Sequence, residues 1–569
     1  MTVTVNRPES PADHVTPYDR FAWSDTVVEH LLASGEHPRE LTAYFGAGEY
    51  EALAALAREA QRVPVSADAP RVYIVPGIMG SQLGRMRRAP LPNDILWLDP
   101  VDISLGQLAL LRLPVAGAAP VTAEEHKHLP LQDEPASPQE TQIVPLGVVL
   151  FTYLRLKLQL RIAGFAPAFH DYDWRLGIDE LGRGLAERLR GERSRTMIVA
   201  HSMGGLVSRA AMSHSGLEHV ERVVLLGTPN NGSFAPVLAL RGVYAVVRKI
   251  ARLSQSQTAE SLAADVFSTF PSLYHLLPTA AGDAGPDFFD AASWPADGPQ
   301  PNGPLLSRAR EVLNGLARGD ERFVNIIGAG QETVTRATRK NGEFVYTVTR
   351  QGDGTVPVAF AELPGARTYY TTVAHSDLAR DAVVAQAIAD VLRTGETARL
   401  DGKLSHNGKA EARISDTQLR RTHIDKVDFT QMEPEARQAF LRNLNEPPQL
   451  KLSVPGTKTT AAAKSARKKA SASAKTTSSK SAAAGGRAGA RTSRPAGART
   501  RATASAKPRR AGEQSSSASA TKRKTRSKPL RRAAKKTATR KARVPKPRAA
   551  PRVARSSSRR SRKRVTARR

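Results

Sequence analysis

The run Val199-Ala-His-Ser202-Met-Gly204-Gly205 holds the strongest chemical signal in the chain. A short apolar, β-rich run at 196–200 leads directly into a helical stretch at 204–212, with a serine at the corner. Ala200 and Gly204 stand two positions to either side of Ser202, which is the G-x-S-x-G nucleophile-elbow arrangement with alanine in the first small position. So sharp a turn tolerates only small neighbours, and it lifts the serine Oγ above the carboxyl edge of a sheet. A helix starting beneath it favours negative charge developing near its N-terminus. The alternative is a chance strand–Ser–Gly–Gly turn.

A serine hydroxyl is a poor nucleophile at neutral pH and needs a base, itself oriented by a carboxylate. Behind such an elbow the partners follow in the order Ser, Asp, His. Asp353 lies in the glycine-flanked turn Gln351-Gly-Asp-Gly-Thr-Val-Pro357, after a strand expected at 346–349. His375 follows a second strand expected at 369–373. Both stand at carboxyl ends of expected strands, so a parallel sheet would gather Ser202, Asp353 and His375 on one edge. Singly, the aspartate could be an ordinary turn residue and the histidine a surface loop residue; an ordered trio after three strands is harder to produce by accident.

The tetrahedral intermediate of acyl transfer needs two converging N–H donors. Met203, the residue after the nucleophile, should supply one. The loop Pro76-Gly-Ile-Met-Gly-Ser81, after a strand at 71–75, should supply the other through Ile78, with Met79 as the alternative. Glycines there let the main chain approach a substrate closely. Thr228 and Asn230, in Thr228-Pro-Asn-Asn-Gly-Ser233, either line the pocket or turn the chain. His201 should point back into the core. Gly328-Ala-Gly330 is a lone G-x-G without the rest of a dinucleotide fingerprint. The scattered histidines show no metal-ligand spacing, so no metal or cofactor is expected.

The elements that must position these residues alternate. Strands are expected at 71–75, 169–172, 196–200, 220–226, 323–327 and 369–373, with helices at 178–189, 204–212 and 382–392 between them. That rhythm predicts an α/β fold with a mostly parallel central sheet and helices on both faces. Residues 1–70 form a helical appendage, 71–235 the first part of the core and 321–400 its completion. Two long excursions, about 84–145 and 236–320, sit where lids form and are expected as helical cap insertions. Residues 401–450 are expected as a small helical extension.

Four ordered motifs carry a family resemblance: Pro76-Gly-Ile-Met-Gly-Ser-Gln-Leu83, Asp171-Tyr-Asp-Trp-Arg175, His201-Ser-Met-Gly204 and Gly352-Asp-Gly-Thr-Val-Pro357. Over residues 70–390 the chain resembles the lecithin:cholesterol acyltransferase and lysosomal phospholipase family of α/β-hydrolases. The resemblance implies Ser202 as acyl acceptor, Asp353 and His375 as its partners, and Ile78 and Met203 as oxyanion donors. It also implies a glycerolipid or other fatty ester as acyl donor, with water or an alcohol as acceptor. Trp97 falls where that family has a membrane-touching segment; packing under the cap is the alternative. Trp174 and Arg175 are expected to buttress the sheet edge. The chain departs from secreted animal members in lacking cysteine and a signal-peptide run.

Charge is divided unevenly along the 569 residues. The net charge of +32 conceals a tail, 451–569, with 39 Lys+Arg against one acid, Glu513. The first 450 residues carry a net charge of −6. The tail has no Phe, Tyr, Trp or His, cannot bury enough apolar surface to offset the entropy of ordering, and is expected to be disordered. Its composition resembles a linker-histone tail. Its partners would be nucleic acid, another polyanion or an anionic membrane surface, bound through phosphates without sequence preference. The rival functional reading is therefore a nucleoid- or polyanion-binding protein whose hydrolase-like body is a non-catalytic scaffold. Zero cysteine excludes disulfides, thiolate metal sites and a cysteine nucleophile. No apolar run approaches the ~20 residues of a spanning helix, and the N-terminus lacks a signal-like segment, which predicts a soluble, cytoplasmic protein.

Overall fold

A computed structural model describes residues 23–440, except 67, 87–92, 116–141, 280–284, 405–410, 422–425, 429–431, 433–435 and 437–438. The expected disordered tail, 451–569, lies outside the described residues, as do residues 1–22 and 441–450. Twelve strands are described: β1 (Arg71–Val75), β2 (Ser81–Arg85), β3 (Asp94–Trp97), β4 (Ile143–Val148), β5 (Ala166–Phe169), β6 (Thr196–His201), β7 (Val220–Leu226), β8 (Phe323–Gly328), β9 (Thr333–Lys340), β10 (Glu343–Thr349), β11 (Arg367–Thr371) and β12 (Ala412–Ser415).

Six of them form the central sheet in the order β11-β8-β7-β6-β1-β5, with every neighbouring pair parallel. Strands buried on both faces read as continuous apolar runs, and β6 and β8 are buried at every position. Alternate residues feed two cores. Tyr73, Val75, Ile198 and Ala200 face the helices Ile178–Arg190 and Met203–Met212 and the cap. Val72, Ile74, Met197 and Val199 face the helices Leu150–Ile162 and Ala382–Thr394 and the N-terminal helices. This is the α/β-hydrolase fold. Two expected strands begin earlier than expected: that placed at 169–172 is β5, three residues earlier, and that at 369–373 is β11, two residues earlier.

The N-terminal helices, Asp25–Ser34, Pro38–Phe45 and Ala47–Arg62, bury Val28, Leu32, Leu41, Phe45 and Leu53 in the second core. Polar contacts reinforce that packing on the helix Leu150–Ile162. Arg155 pairs with Glu49 at 3.0 Å, and Lys157 holds both Asp25 and Glu29.

The first excursion is not purely helical. It holds an antiparallel sheet, β3-β2-β4, in addition to a short helix, Pro100–Ser104. Register irregularities at Gln82/Leu83 and Leu83/Gly84 break the two-residue alternation that would have announced these strands. A Cβ on Gly84 would lie 2.0 Å from the Asp94 carbonyl oxygen, so glycine is what lets β3 close on β2. The second excursion is helical. Its expected continuous run at 237–250 divides into Ala235–Leu240 and Ala245–Leu253, with Gly242 between them at φ 69°.

A third sheet, β12-β10-β9, is antiparallel. The expected helical extension 401–450 therefore begins with a strand, β12, and its described helix is Asp416–Arg421. Buried Asp416 anchors this segment by accepting from Tyr346 Oη at 2.7 Å and Arg241 Nε at 3.0 Å. Among the described residues no helix is long and apolar enough to cross a membrane.

Candidate active site

Ser202 follows β6 with φ 54° and ψ −125°, a conformation that costs a non-glycine residue energy and persists only where its surroundings enforce it. Two steric facts do so. A Cβ on Gly204 would lie 2.4 Å from the carbonyl oxygens of both Val75 and Pro76, at the end of the adjacent strand β1. A Cβ on Gly205 would lie 1.9 Å from Thr228 Oγ1. The small-residue pattern is thus the imprint of strand ends pressing on the first helical turn.

His375 Nε2 lies 2.9 Å from Ser202 Oγ, and His375 Nδ1 lies 2.7 Å from Asp353 Oδ2. The other carboxylate oxygen, Oδ1, accepts from Thr355 N at 2.9 Å and Val356 N at 2.7 Å. The His375 amide donates to the Asp353 carbonyl at 2.9 Å, so acid and histidine are joined through main chain as well. All three side chains are largely withdrawn from water. The structure brings the three predicted residues together, but Asp353 arrives by another route than the expected one. Its preceding strand, β10, belongs to the antiparallel sheet and not to the central one. The acid reaches the site because its loop folds back over the end of β8. There Gly328 leaves no room for more than a hydrogen: a Cβ would lie 2.6 Å from Asp353 Cβ and from the Val373 carbonyl oxygen. Gly328, the first glycine of the lone G-x-G at 328–330, is a steric seat for the acid. Gly227, at φ 55°, plays the same part from β7, since a Cβ there would lie 3.0 Å from both Asp353 Oδ2 and His375 Nδ1.

The loop after β1 turns tightly, with Gly80 N donating to the Gly77 carbonyl at 3.0 Å and Met79 at φ 61°. A Cβ on Gly77 would lie 2.9 Å from Ser202 Cβ, and one on Gly80 would lie 2.9 Å from Tyr153 Oη. Both glycines are therefore fixed by close approach. Gly77 N is already engaged, donating to Tyr153 Oη at 2.9 Å. Among the described residues the N–H groups of Ile78 and Met203 have no hydrogen-bond acceptor, and Met203 opens a helix, where first-turn amides lack an intrahelical partner.

A cavity of about 140 Å³ opens beside Ser202 and His375. Its walls include Met79 and Trp97 with Val246, Ile250, Phe270 and Leu276 of the second excursion. Trp97 is 1% exposed, so it packs under the cap and does not reach outward toward a membrane. Its Nε1 donates to the Met79 carbonyl at 3.0 Å, and its ring meets Trp174 edge-on at 5.5 Å. Trp174 also lines the cavity, which goes beyond the buttressing expected of it. Arg175 does buttress, through buried Asp173 and the Leu111 carbonyl. Thr228 and Asn230 do not line the cavity; neighbouring Pro229 and Ser233 do. Thr228 packs on Gly205, while Asn230 donates to the Ala361 carbonyl at 2.7 Å and accepts from Arg209. Short polar side chains in this turn are spent on holding the loop.

His201 is buried behind the serine, and burial, reinforced by the nearby His375 charge, pushes its pKa down to about 3. It is a neutral imidazole at any pH where the site would work. Tyr153, from the helix Leu150–Ile162, contacts it and is a site residue that sequence patterning gave no reason to single out. Among the described residues no group of three or more His, Asp or Glu side chains could hold a metal ion.

A family model described as the PGAP1-like alpha/beta domain matches residues 183–269, which contain the serine turn and the start of the cap. No curated protein sequence matches the chain. Among solved structures, the mature form of the Bacillus licheniformis lipase BlEst2 aligns at 15% identity over 59% of this chain and 96% of the lipase, with a TM-score of 0.29. The Tle4-Tli4 complex aligns at 14% identity over 58% of this chain and 100% of that one, with a TM-score of 0.35. The sheet order and the match to that domain are what carry the fold.

Proposed function

We propose that the chain is a serine-dependent hydrolase or O-acyltransferase of lipid esters, of the lecithin:cholesterol acyltransferase-like kind. The observation that carries this reading is the continuous Ser202–His375–Asp353 hydrogen-bond series beside an apolar cavity. Ser202 Oγ attacks the ester carbonyl carbon while His375 Nε2 takes its proton. Negative charge forms on the carbonyl oxygen, and the N–H groups of Ile78 and Met203 serve as the donors to it in this reading. Asp353 stabilises the imidazolium, which protonates the departing alkoxide. Water, or a lipid hydroxyl in a transferase, then gives its proton to His375 and attacks the acyl carbon, and the ester bond to Ser202 Oγ breaks as His375 returns that proton to the serine.

The cavity lining supports an alkyl chain as the acyl group. With each buried methylene worth about 0.8 kcal/mol, kcat/KM on nitrophenyl esters should rise about fourfold per added carbon until the cavity is full. A wild-type enzyme inactive on every chain length would overturn the catalytic reading, and acetate as the best substrate would overturn the lipid one. Mass spectrometry of released and transferred acyl chains from a lipid extract separates hydrolase from transferase.

The tail supports a separable role in holding the enzyme on a polyanionic surface, by counterion release from phosphates. Deleting 451–569 should abolish retention on DNA and on anionic vesicles at low salt and leave nitrophenyl ester kcat unchanged. Retention unaltered by the deletion would end this proposal.

A further inference from the structure

We propose that Tyr153 and His201 are positioning residues that fasten the oxyanion loop to the histidine base through one buried hydrogen-bond chain. The inference rests on the reading of Ser202, His375 and the Ile78 loop given above.

The chain has three links. Gly77 N lies 2.9 Å from Tyr153 Oη, Tyr153 Oη lies 3.0 Å from His201 Nδ1, and His201 Nε2 lies 3.0 Å from the His375 carbonyl oxygen. With His201 neutral, every proton in it is assigned by its ends. An amide N–H can only donate, so Tyr153 Oη accepts from Gly77. A carbonyl oxygen can only accept, so His201 Nε2 carries its ring proton. Nδ1 is then an acceptor, and the Tyr153 hydroxyl proton points to it. Three donors align in one direction, from the residue beside Ile78 to the residue whose ring bridges Ser202 and Asp353.

Both ends of the chain lie on main chain whose placement decides the chemistry. Gly77 directs the next peptide, which carries the Ile78 N–H. The His375 carbonyl belongs to the residue whose imidazole must meet two partners at once. Tyr153 is itself held from behind, because its helix carries Arg155 and Lys157, the residues paired to the N-terminal helices. A chain so anchored fixes the distance between the oxyanion donors and the base, and gives the N-terminal addition a mechanical link to the site.

Tyr153→Phe keeps the ring and removes only the hydroxyl. In the folded full-length variant, with the melting temperature as the check on folding, kcat should fall about 10- to 100-fold while KM stays within about threefold, the pattern of misplaced reacting groups. Inactivation by an active-site phosphonate should slow by the same factor. A folded variant with kcat within twofold of wild type, or with the whole loss in KM, would overturn the proposal. Histidine 15N NMR on the unmodified full chain tests the same point without a variant or an activity. His201 should show a protonated Nε2 and a bare Nδ1 from pH 5 to 8. An Nδ1–H tautomer or an imidazolium there would also overturn it. Wild-type inactivity on esters would instead strike the functional reading and leave the tautomer result standing on its own.

Discussion

Asp353→Asn should lower kcat on a nitrophenyl ester by about 10⁴-fold without disturbing the arrangement of the site, and Ser202→Ala should lower it further, by up to about 10⁶-fold. The first effect follows from how the carboxylate is held. Oδ1 faces two donors, the amides of Thr355 and Val356, so an asparagine must place its carbonyl oxygen there. Its NH2 then faces His375 Nδ1 and donates to it. That forces the proton onto Nε2, the nitrogen 2.9 Å from Ser202 Oγ, which can no longer accept the serine proton. The ring stays in place in the wrong tautomer. Steady-state kinetics with a melting curve for each variant check this, and phosphonate labelling should be slow in Asp353→Asn and absent in Ser202→Ala. The double variant should be no slower than Ser202→Ala alone, because groups acting as one unit are not additive. An Asp353→Asn enzyme within tenfold of wild type would mean that the tautomer is fixed by something other than residue 353.

How much of this site the sequence discloses depends on which forces set each part. The serine turn is legible because its constraint is local. Gly204 and Gly205 are small since strand ends stand within 2.4 Å of where their side chains would begin, and that constraint is written beside the serine itself. The strands of the central sheet are legible as continuous apolar runs. The route taken by Asp353 differs from the expected one, although a signal for it exists. In β10, Phe344, Tyr346 and Val348 are buried while Glu343, Val345, Thr347 and Thr349 are less so. Such alternation marks an antiparallel strand with one wet face, and not a member of the double-faced parallel sheet. Gly328 and Gly227 carry no local signal, since what they make room for lies in segments remote in sequence. Tyr153 is hidden in the same way: its helix is buried nearly all round, so no single polar residue in it stands out by pattern. For Thr228 and Asn230, at a strand-to-loop junction beside the elbow, the sequence allows either a pocket wall or a turn in the chain. Packing on Gly205 holds Thr228, and hydrogen bonds to the Ala361 carbonyl and Arg209 hold Asn230, so both serve the fold instead.

Acid should unfold this protein earlier than its active chemistry would suggest, because three imidazoles among the described residues are buried in the neutral form. Burial lowers the pKa of His201 to about 3, with the charge of His375 adding to the effect. Burial lowers His170 to about 4, helped by the Arg188 guanidinium beside it. Burial lowers His275 to about 4 against the opposing pull of Asp179, while its Nδ1 accepts from Ile178 N at 3.1 Å. In the unfolded chain each would titrate near 6.5. Between those limits the unfolded state holds up to three more protons than the folded one, so stability rises with pH there and falls as pH drops. The contribution is complete above about pH 6.5 and is lost progressively down to about pH 4 for His170 and His275 and about pH 3 for His201. At pH 5 each histidine costs about 2 kcal/mol, or about 6 kcal/mol together, against a whole-domain stability of about 5–15 kcal/mol. The unfolding free energy of the full chain from urea titration should therefore be flat from pH 8 to 7 and fall steeply below pH 6, with a limiting slope of about 4 kcal/mol per pH unit and urea midpoints that fall with it. Replacing His275 by Asn should remove about one third of that slope, since the asparagine oxygen can still accept from Ile178 N but binds no proton. A midpoint that holds steady from pH 7 to 5 would show that these rings find water, or an anion, when they take up a proton.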